Sequence, residues 1–328
     1  MKLINKKDRI FIAGHTGMVG NSIVRELIKK GYNNLYLPTR KDLDLLDYES
    51  VSKWFKKEEP NVVILAAAKV GGIEANFKYP GEFILENLKI QTNVIDNSLN
   101  NNVKRFLFFG SSCIYPKFAP QPIKEEYLLT GPLEITNEPY ALAKIAGLKL
   151  CSALIKQYNF DAISLMPTNL YGPGDNYKLN YSHVLPAFIE RFYNAKIKGA
   201  NNVTCWGSGN PKREFLHVDD LANASIFILE NFSFIKNKSS QDNAPKFLNV
   251  GNGKDISIKN LAHLVADKIG YKGEILWDAS KPDGTPRKLL DNSRINDLGW
   301  EASISLEDGI QQTINSYIED LKLKKIRN

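Results

Sequence analysis

Five nearly continuous apolar runs, Arg9–Ala13, Asn34–Leu37, Val62–Ala68, Arg105–Gly110 and Ala162–Met166, punctuate the first half of the chain. Between them lie stretches of helical period: Gly20–Lys30, closed by Gly31, then Tyr48–Lys57, Glu82–Asn101 and Pro139–Tyr158. This alternation constrains the fold more than any other feature. Strands joined by helices run parallel, and the helices must then cover the sheet. Because the strands are apolar at successive positions, both of their faces are out of water. The expectation is an α/β protein built on a doubly wound parallel sheet.

After Gly172 the rhythm breaks. Pro173, Gly174, Pro186, Gly207, Gly209 and Pro211 punctuate shorter elements, as in a smaller second unit. The expected organisation is a nucleotide-binding domain over residues 1–172, with a return segment near 212–255, and a mainly substrate-binding α/β domain over 173–328. A strand at Lys246–Val250 is expected to rejoin the first domain, and the polar stretch Asn237–Lys246 is expected to be a surface loop.

The formal net charge of +7 raises the question of nucleic acid. The positive residues are scattered in short clusters such as NKKDR and LKLKKIRN, without the interleaved aromatics of a single-strand platform. A solvated lysine-rich surface explains them, and an anionic small substrate is compatible with them. No apolar run approaches the ~18 residues of a membrane span, and MKLINKKDR passes straight into IFIAG without a secretory apolar region. Three cysteines without a CxxC argue against a disulfide framework or a zinc site. A cytoplasmic location and no metal are expected.

The first apolar run ends in Gly14-His15-Thr16-Gly17-Met18-Val19-Gly20, which opens the first helix. Glycines there let a dinucleotide's pyrophosphate approach the amides of a helix N-terminus, the signature of a Rossmann-type fold. The same spacing alone describes many tight turns; its strand–loop–helix setting makes it informative. The second run ends in Thr39-Arg40, and an arginine at that position accepts the 2′-phosphate of NADP, where an acid would select NAD.

Tyr140 and Lys144 in YALAK sit one turn apart on a helix introduced by Asn137 and Pro139. A phenol with a pKa near ~10 exchanges protons poorly at neutral pH unless a nearby ammonium stabilises its phenolate. Such pairs are common on amphipathic helices. Here a glycine loop precedes the pair, and Ser111 lies at the end of a buried strand in GSSCIYPK.

With these motifs the chain resembles the extended short-chain dehydrogenase/reductase family, and within it the enzymes that epimerise and reduce GDP-4-keto-6-deoxy-D-mannose. The matching segments are GHTGMVG, AAAKVGGI, GSSCIYPK, TNEPYALAKIAG, MPTNLYGP, SHVLPA, WGSGNPKREFLHVDD and DASKPDGTPRKLLD. The resemblance covers nearly the whole chain. It implies an NADP(H)-dependent enzyme, a homodimer, that makes GDP-L-fucose by inverting C3 and C5 and reducing C4. Ser111 and Tyr140 would polarise the ketone and Lys144 would support Tyr140. Cys113 and His183 would move the protons at C3 and C5, since an unperturbed thiol (~8.5) and imidazole (~6.5) both exchange protons near neutrality.

The resemblance also assigns the cofactor to Gly14–Gly20, to Arg40-Lys41-Asp42-Leu43-Asp44-Leu45, to Phe109-Gly110-Ser111-Ser112, to Lys144, to Pro167-Thr168-Asn169-Leu170 and to His183. It assigns the substrate to Arg191, Trp206, Arg213 and Asp283. Similar bacterial enzymes often carry an arginine where this chain has Thr16, so Arg40 would hold the 2′-phosphate with less help. Without the resemblance, Cys113 reads as a small buried hydrophobe and His183 as a helix cap. Cys151 and Cys205 keep that bland role, and His217 is expected to organise the junction between the domains. Competing functions are a nucleotide-sugar 4-epimerase, a 4-reductase lacking epimerase activity, and a dinucleotide-sensing protein on the same fold, a class that commonly lacks the Tyr/Lys pair this chain keeps. A 4,6-dehydratase would place an acid pair where Ser112 and Cys113 stand.

Overall fold

The computed structural model describes residues 2–178, 182–236, 244–281 and 283–326. Residues 237–243, most of the expected polar loop, lie outside that set. Strand β1 (Ile10–Ala13) turns through the glycine loop into helix α1 (Met18–Lys29), followed by β2 (Leu35–Tyr36), α2 (Tyr48–Glu58) and β3 (Val62–Leu65). A short α3 (Ile73–Lys78) leads into the long α4 (Pro80–Asn100), then β4 (Arg105–Phe109), α5 (Glu138–Tyr158) and β5 (Ala162–Pro167). The rest comprises β6 (Asn169–Tyr171), α6 (Val184–Lys198), β7 (Asn202–Trp206), β8 (Lys212–His217), α7 (Val218–Asn231) and β9 (Phe247–Val250). It ends with β10 (Asp255–Ser257), α8 (Ile258–Ile269), β11 (Glu274–Asp278), β12 (Arg287–Lys288), α9 (Ser293–Asn296) and α10 (Leu306–Lys322).

Six strands form one parallel sheet in the order β2-β1-β3-β4-β5-β9. Its strands alternate between two cores. Phe11, Val63, Phe106 and Phe108 point to a core shared with α2, α4 and α5, whereas Ile10, Ile12, Val62, Ile64 and Leu107 point to one shared with α1 and α7. This explains the unbroken apolar runs, for every strand position faces a helix layer. Each fully buried large side chain contributes about 1.5–3 kcal/mol.

A second, smaller assembly is arranged around β8. It pairs antiparallel with β10 and parallel with β12 and β6, while β7 and β11 form a separate parallel pair. Phe188, Phe192, Leu261, Tyr271 and Ile314 form its core beneath α6, α8 and α10. Local signals set these helices. Ser257 caps α8 by accepting from the Asn260 amide at 3.1 Å, and Gly199 and Gly270 end α6 and α8 in the left-handed region.

Helix α5 lies unusually close to the sheet at Gly147. A Cβ there would stand 2.6 Å from the Phe108 ring and 2.8 Å from the Gln91 amide. Gly147→Ala should therefore destabilise the protein by about 1–3 kcal/mol through overpacking, although alanine in an open helix is favoured over glycine by ~1 kcal/mol. Urea denaturation reads the sign; a stabilised variant would contradict the close approach.

Candidate active site

β1 lies between β2 and β3, so the chain leaves its carboxyl end in one direction and that of β3 in the other, opening a crevice suited to a ligand. The glycine loop fits that crevice. Gly14 has φ +86°, and a Cβ on it would stand 2.7 Å from the Ala67 backbone; one on Gly20 would stand 2.2 Å from the Gly14 carbonyl. Gly17 occupies the N-cap position of α1, and no acid sits in the first turn, so the leading amides suit a diphosphate. Thr16 is exposed, Met18 and Val19 half-buried. The Nδ1 of His15 is buried without a partner, and burial lowers the imidazole's pKa, favouring its neutral form.

The segment after β2 divides its tasks. Asp42 accepts from the Thr39 amide at 2.9 Å and hydroxyl at 2.6 Å, which shapes the turn. Leu43 belongs to the core and Leu45 packs against it, while Asp44 accepts from the Leu46 amide. Arg40 and Lys41 remain exposed, two cations available to a phosphate.

At the end of β4 the chain makes a single 3-10 turn, Ser112–Ile114. Ser111 starts that turn, and its hydroxyl accepts from the Cys113 amide at 3.2 Å. The same hydroxyl hydrogen-bonds with Tyr140, whose phenol is driven well above its ordinary pKa by burial and by the neighbouring Cys113, with Ser111 opposing. Lys144, one turn on, is buried. Its Nζ donates to the Phe109 carbonyl at 2.8 Å and stands 5.9 Å from the centre of the Tyr140 ring; desolvation brings its pKa down to about 8. Gly110 needs its hydrogen side chain, since a Cβ would stand 2.3 Å from the Met166 sulfur. Pro167 and Thr168 continue this floor: Thr168 and Asn169 both donate from their side chains to the Glu214 carbonyl, and Leu170 packs on the core shared with α1 and α7.

His183 stands at the N-cap position of α6, yet its side chain makes no capping bond. It is exposed; desolvation by the surrounding protein, and then the Lys288 ammonium, lower its pKa. The Cys113 sulfur accepts from Asn137 Nδ2 at 3.4 Å and from Lys288 Nζ at 3.7 Å. Nothing in the local sequence marks Lys288, and Asn137 carries only the signal of a helix start. Asn137 does occupy the N-cap position of α5, but its side chain makes no cap bond.

The expected substrate residues line the smaller assembly. Arg213 is half-buried; desolvation lowers its pKa, against the pull of Cys113, Asp283 and Glu134. Asp283 accepts from the Ser208 amide at 3.0 Å and hydroxyl at 2.6 Å, bonds that lower its pKa. Trp206 is 58% exposed, with the Lys281 ammonium 5.6 Å from its ring centre, so one face of a broad aromatic surface is open to a ligand. Arg191 donates to the Thr204 carbonyl at 3.1 Å and to the Cys205 sulfur, holding itself against β7. Cys151 and Cys205 are buried free thiols, the former pushed up to about 12 by burial. His217 caps α7 by accepting from the Asp219 amide at 3.3 Å.

The model of the NAD dependent epimerase/dehydratase family matches residues 10–251. The chain belongs to that family. It is 54% identical over 323 residues to the putative GDP-L-fucose synthase 2 of Arabidopsis thaliana, covering 98% of this chain and 95% of the relative. To the GDP-L-fucose synthase of Escherichia coli (strain K12) it is 52% identical over 314 residues, covering 96% and 98%. Among solved structures, the NADP-bound GDP-mannoheptose C4 reductase MlghC from Campylobacter jejuni superposes with a TM-score of 0.87 at 40% identity, over 96% of this chain and 99% of that one.

In this member of the epimerase/dehydratase family, a nicotinamide dinucleotide fits the glycine crevice. Among the described residues no group of three or more His, Cys, Asp or Glu could hold a metal, and no helix is long and apolar enough to cross a membrane. The buried Lys144 has a direct consequence for stability. Its pKa falls from 10.5 to about 8 on folding, so between those values the unfolded chain binds more protons and stability rises with pH. Wild type should gain up to roughly 3 kcal/mol over Lys144→Met as pH rises from 7 to 10.5. Urea titrations of the cofactor-free proteins measure that difference, and a flat difference would show that Lys144 is not desolvated.

Proposed function

We propose that the chain converts GDP-4-keto-6-deoxy-D-mannose to GDP-L-fucose, inverting C3 and C5 and reducing C4 with NADPH. One observation carries this function beyond family membership: Ser111 contacts both Tyr140 and the Cys113 amide, so a ketone held by Ser111 and Tyr140 has a thiol beside it. The relatives at 52–54% identity bear the name of the enzyme that makes this product.

Both C3 and C5 lie α to the ketone, and their protons become acidic once the carbonyl is polarised. Ser111 and Tyr140 donate hydrogen bonds to the carbonyl oxygen and stabilise the enolate. Cys113 takes the proton from one face, and His183 returns one from the other. When bound, NADPH would provide the hydride that reduces C4. Tyr140 then gives its proton to the C4 oxygen, with Lys144 supporting the phenolate that remains. Arg213 binds the diphosphate, Asp283 the ribose hydroxyls, Trp206 an aromatic or sugar face, and Arg191 the adjoining wall. Arg40 and Lys41 hold the 2′-phosphate. The protein acts as a cytoplasmic homodimer, and residues 1–172 and 173–328 divide cofactor from substrate binding, apart from the return segment.

A 4-reductase without epimerase activity is the second candidate, favoured by the superposition with MlghC. Incubation with GDP-4-keto-6-deoxy-D-mannose and NADPH, followed by NMR of the sugar, separates the two. GDP-L-fucose supports the proposed function, and a sugar with C3 and C5 uninverted overturns it.

Tyr140→Phe should lower reduction by about two to four orders of magnitude while leaving NADPH binding intact. Near-normal turnover would exclude Tyr140 as the proton donor. Arg40→Ala should weaken NADPH by roughly tenfold or more, the value of a charge-assisted bond, and leave NADH nearly unchanged. Equal losses for both cofactors, measured by fluorescence titration, would place the 2′-phosphate elsewhere.

A further inference from the structure

The Cys113 sulfur has two nitrogen donors from distant parts of the chain. Asn137 Nδ2, in the turn before α5, lies 3.4 Å away, and Lys288 Nζ, on β12, lies 3.7 Å away. A neutral thiol needs neither, being a weak acceptor at best. A thiolate needs both, because a negative sulfur in a partly buried site is stabilised by N–H donors and cations.

We infer that Lys288 is a catalytic residue of the epimerisation half-reaction, its ammonium holding the negative charge of the Cys113 thiolate that lifts the proton α to the ketone, with Asn137 as the second donor.

Three further observations support this. Lys288 is half-buried, and among the described residues no carboxylate pairs with it. A sheltered cation without a carboxylate is available for an anion that forms during the reaction. Asn137 has given up its capping bond, and its Oδ1 is buried without a partner. A polar group left unsatisfied in this way is costly and marks a position held for another purpose.

The third observation concerns how Lys288 is held. β12 runs beside β8, with Lys288 in register with Arg213. Just beyond it, the Leu289 amide donates to Gln121 Oε1 at 2.9 Å and the Leu290 amide to Glu214 Oε2 at 3.0 Å. Two fixed amides so close to Lys288 anchor the backbone from which its side chain extends to the sulfur. The same ammonium lowers the pKa of His183, making the imidazolium a readier proton donor. One cation thus favours negative charge on the base and proton release from the acid. The step balances: the carbon's proton passes to sulfur, an enolate forms, and the imidazolium proton goes to the opposite face. Lys288 stays protonated throughout.

This inference rests on the function proposed above, and its test separates the two. In the full-length protein, iodoacetamide labelling of Cys113 without substrate is followed by peptide mass spectrometry. Deuterium uptake at C3 and C5 from D2O is followed with substrate and cofactor. Lys288→Met should slow labelling about tenfold and deuterium uptake roughly 10- to 100-fold, whereas Lys288→Arg, which keeps the charge, should retain most of both. NADPH binding should be unchanged and serves as the folding control; Lys288→Gln replaces the methionine variant if that fails it. If Lys288→Met labels at the wild-type rate and only KM rises, the cation serves the substrate's diphosphate and the inference is overturned. Should Cys113→Ser itself exchange at the wild-type rate, both the inference and the epimerase function fall.

Discussion

The two assemblies are joined through a buried carboxylate that accepts from neutral donors. Glu214, fully buried on β8, takes the Gly253 amide at 2.7 Å, the Leu290 amide at 3.0 Å and the Asn292 side chain at 3.4 Å. Its desolvation raises its pKa, and those donors oppose the rise. Gly251 has to be glycine beside it, since a Cβ would stand 2.2 Å from the carboxylate oxygen. The sheet's last strand, the segment carrying Lys288 and the strand carrying Arg213 all converge on this group. Removing it would leave the buried Leu290 amide and the buried Asn292 side chain without this acceptor, each costing about 1–3 kcal/mol.

Across the cleft, desolvation sets the chemistry. It raises the Tyr140 phenol and lowers the Lys144 amine, so both groups are driven toward their neutral forms before any ligand binds. Phosphates and a developing oxyanion add negative charge to the same cleft and favour the ammonium again. Charged ligands therefore restore the Lys144 ammonium, the group that supports a phenolate at Tyr140. Arg213 follows the same logic, desolvated yet drawn toward the sulfur and two carboxylates.

Much of the large sheet was legible because every strand faces two helix layers. Val62–Leu65 and Arg105–Phe109 leave unbroken apolar runs, and α2, α4 and α5 keep their periods, so expected and observed boundaries differ by a few residues at most. Two-residue β12 and three-residue β6 and β10 carry no such pattern; their existence depends on pairing with β8, a long-range event. The site divides likewise. Tyr140, Lys144, Ser111 and Cys113 stand at spacings that local geometry explains. Lys288 reaches the sulfur only because β12 docks beside β8, and Asn137 resembles a cap in sequence while its side chain turns elsewhere.

That separation along the chain has a consequence for synthesis. Cys113 and Lys288 are 175 residues apart, and domains begin to fold from the N-terminal side as they leave the ribosome. A growing chain can place Ser111, Cys113 and Tyr140 around β4 and α5 while β12 has yet to emerge. During that interval the thiol lacks the ammonium that favours its reactive form, and oxidation follows thiolate character. The newly made protein thus acquires its most vulnerable group late, after most of the polypeptide that shelters it has been made.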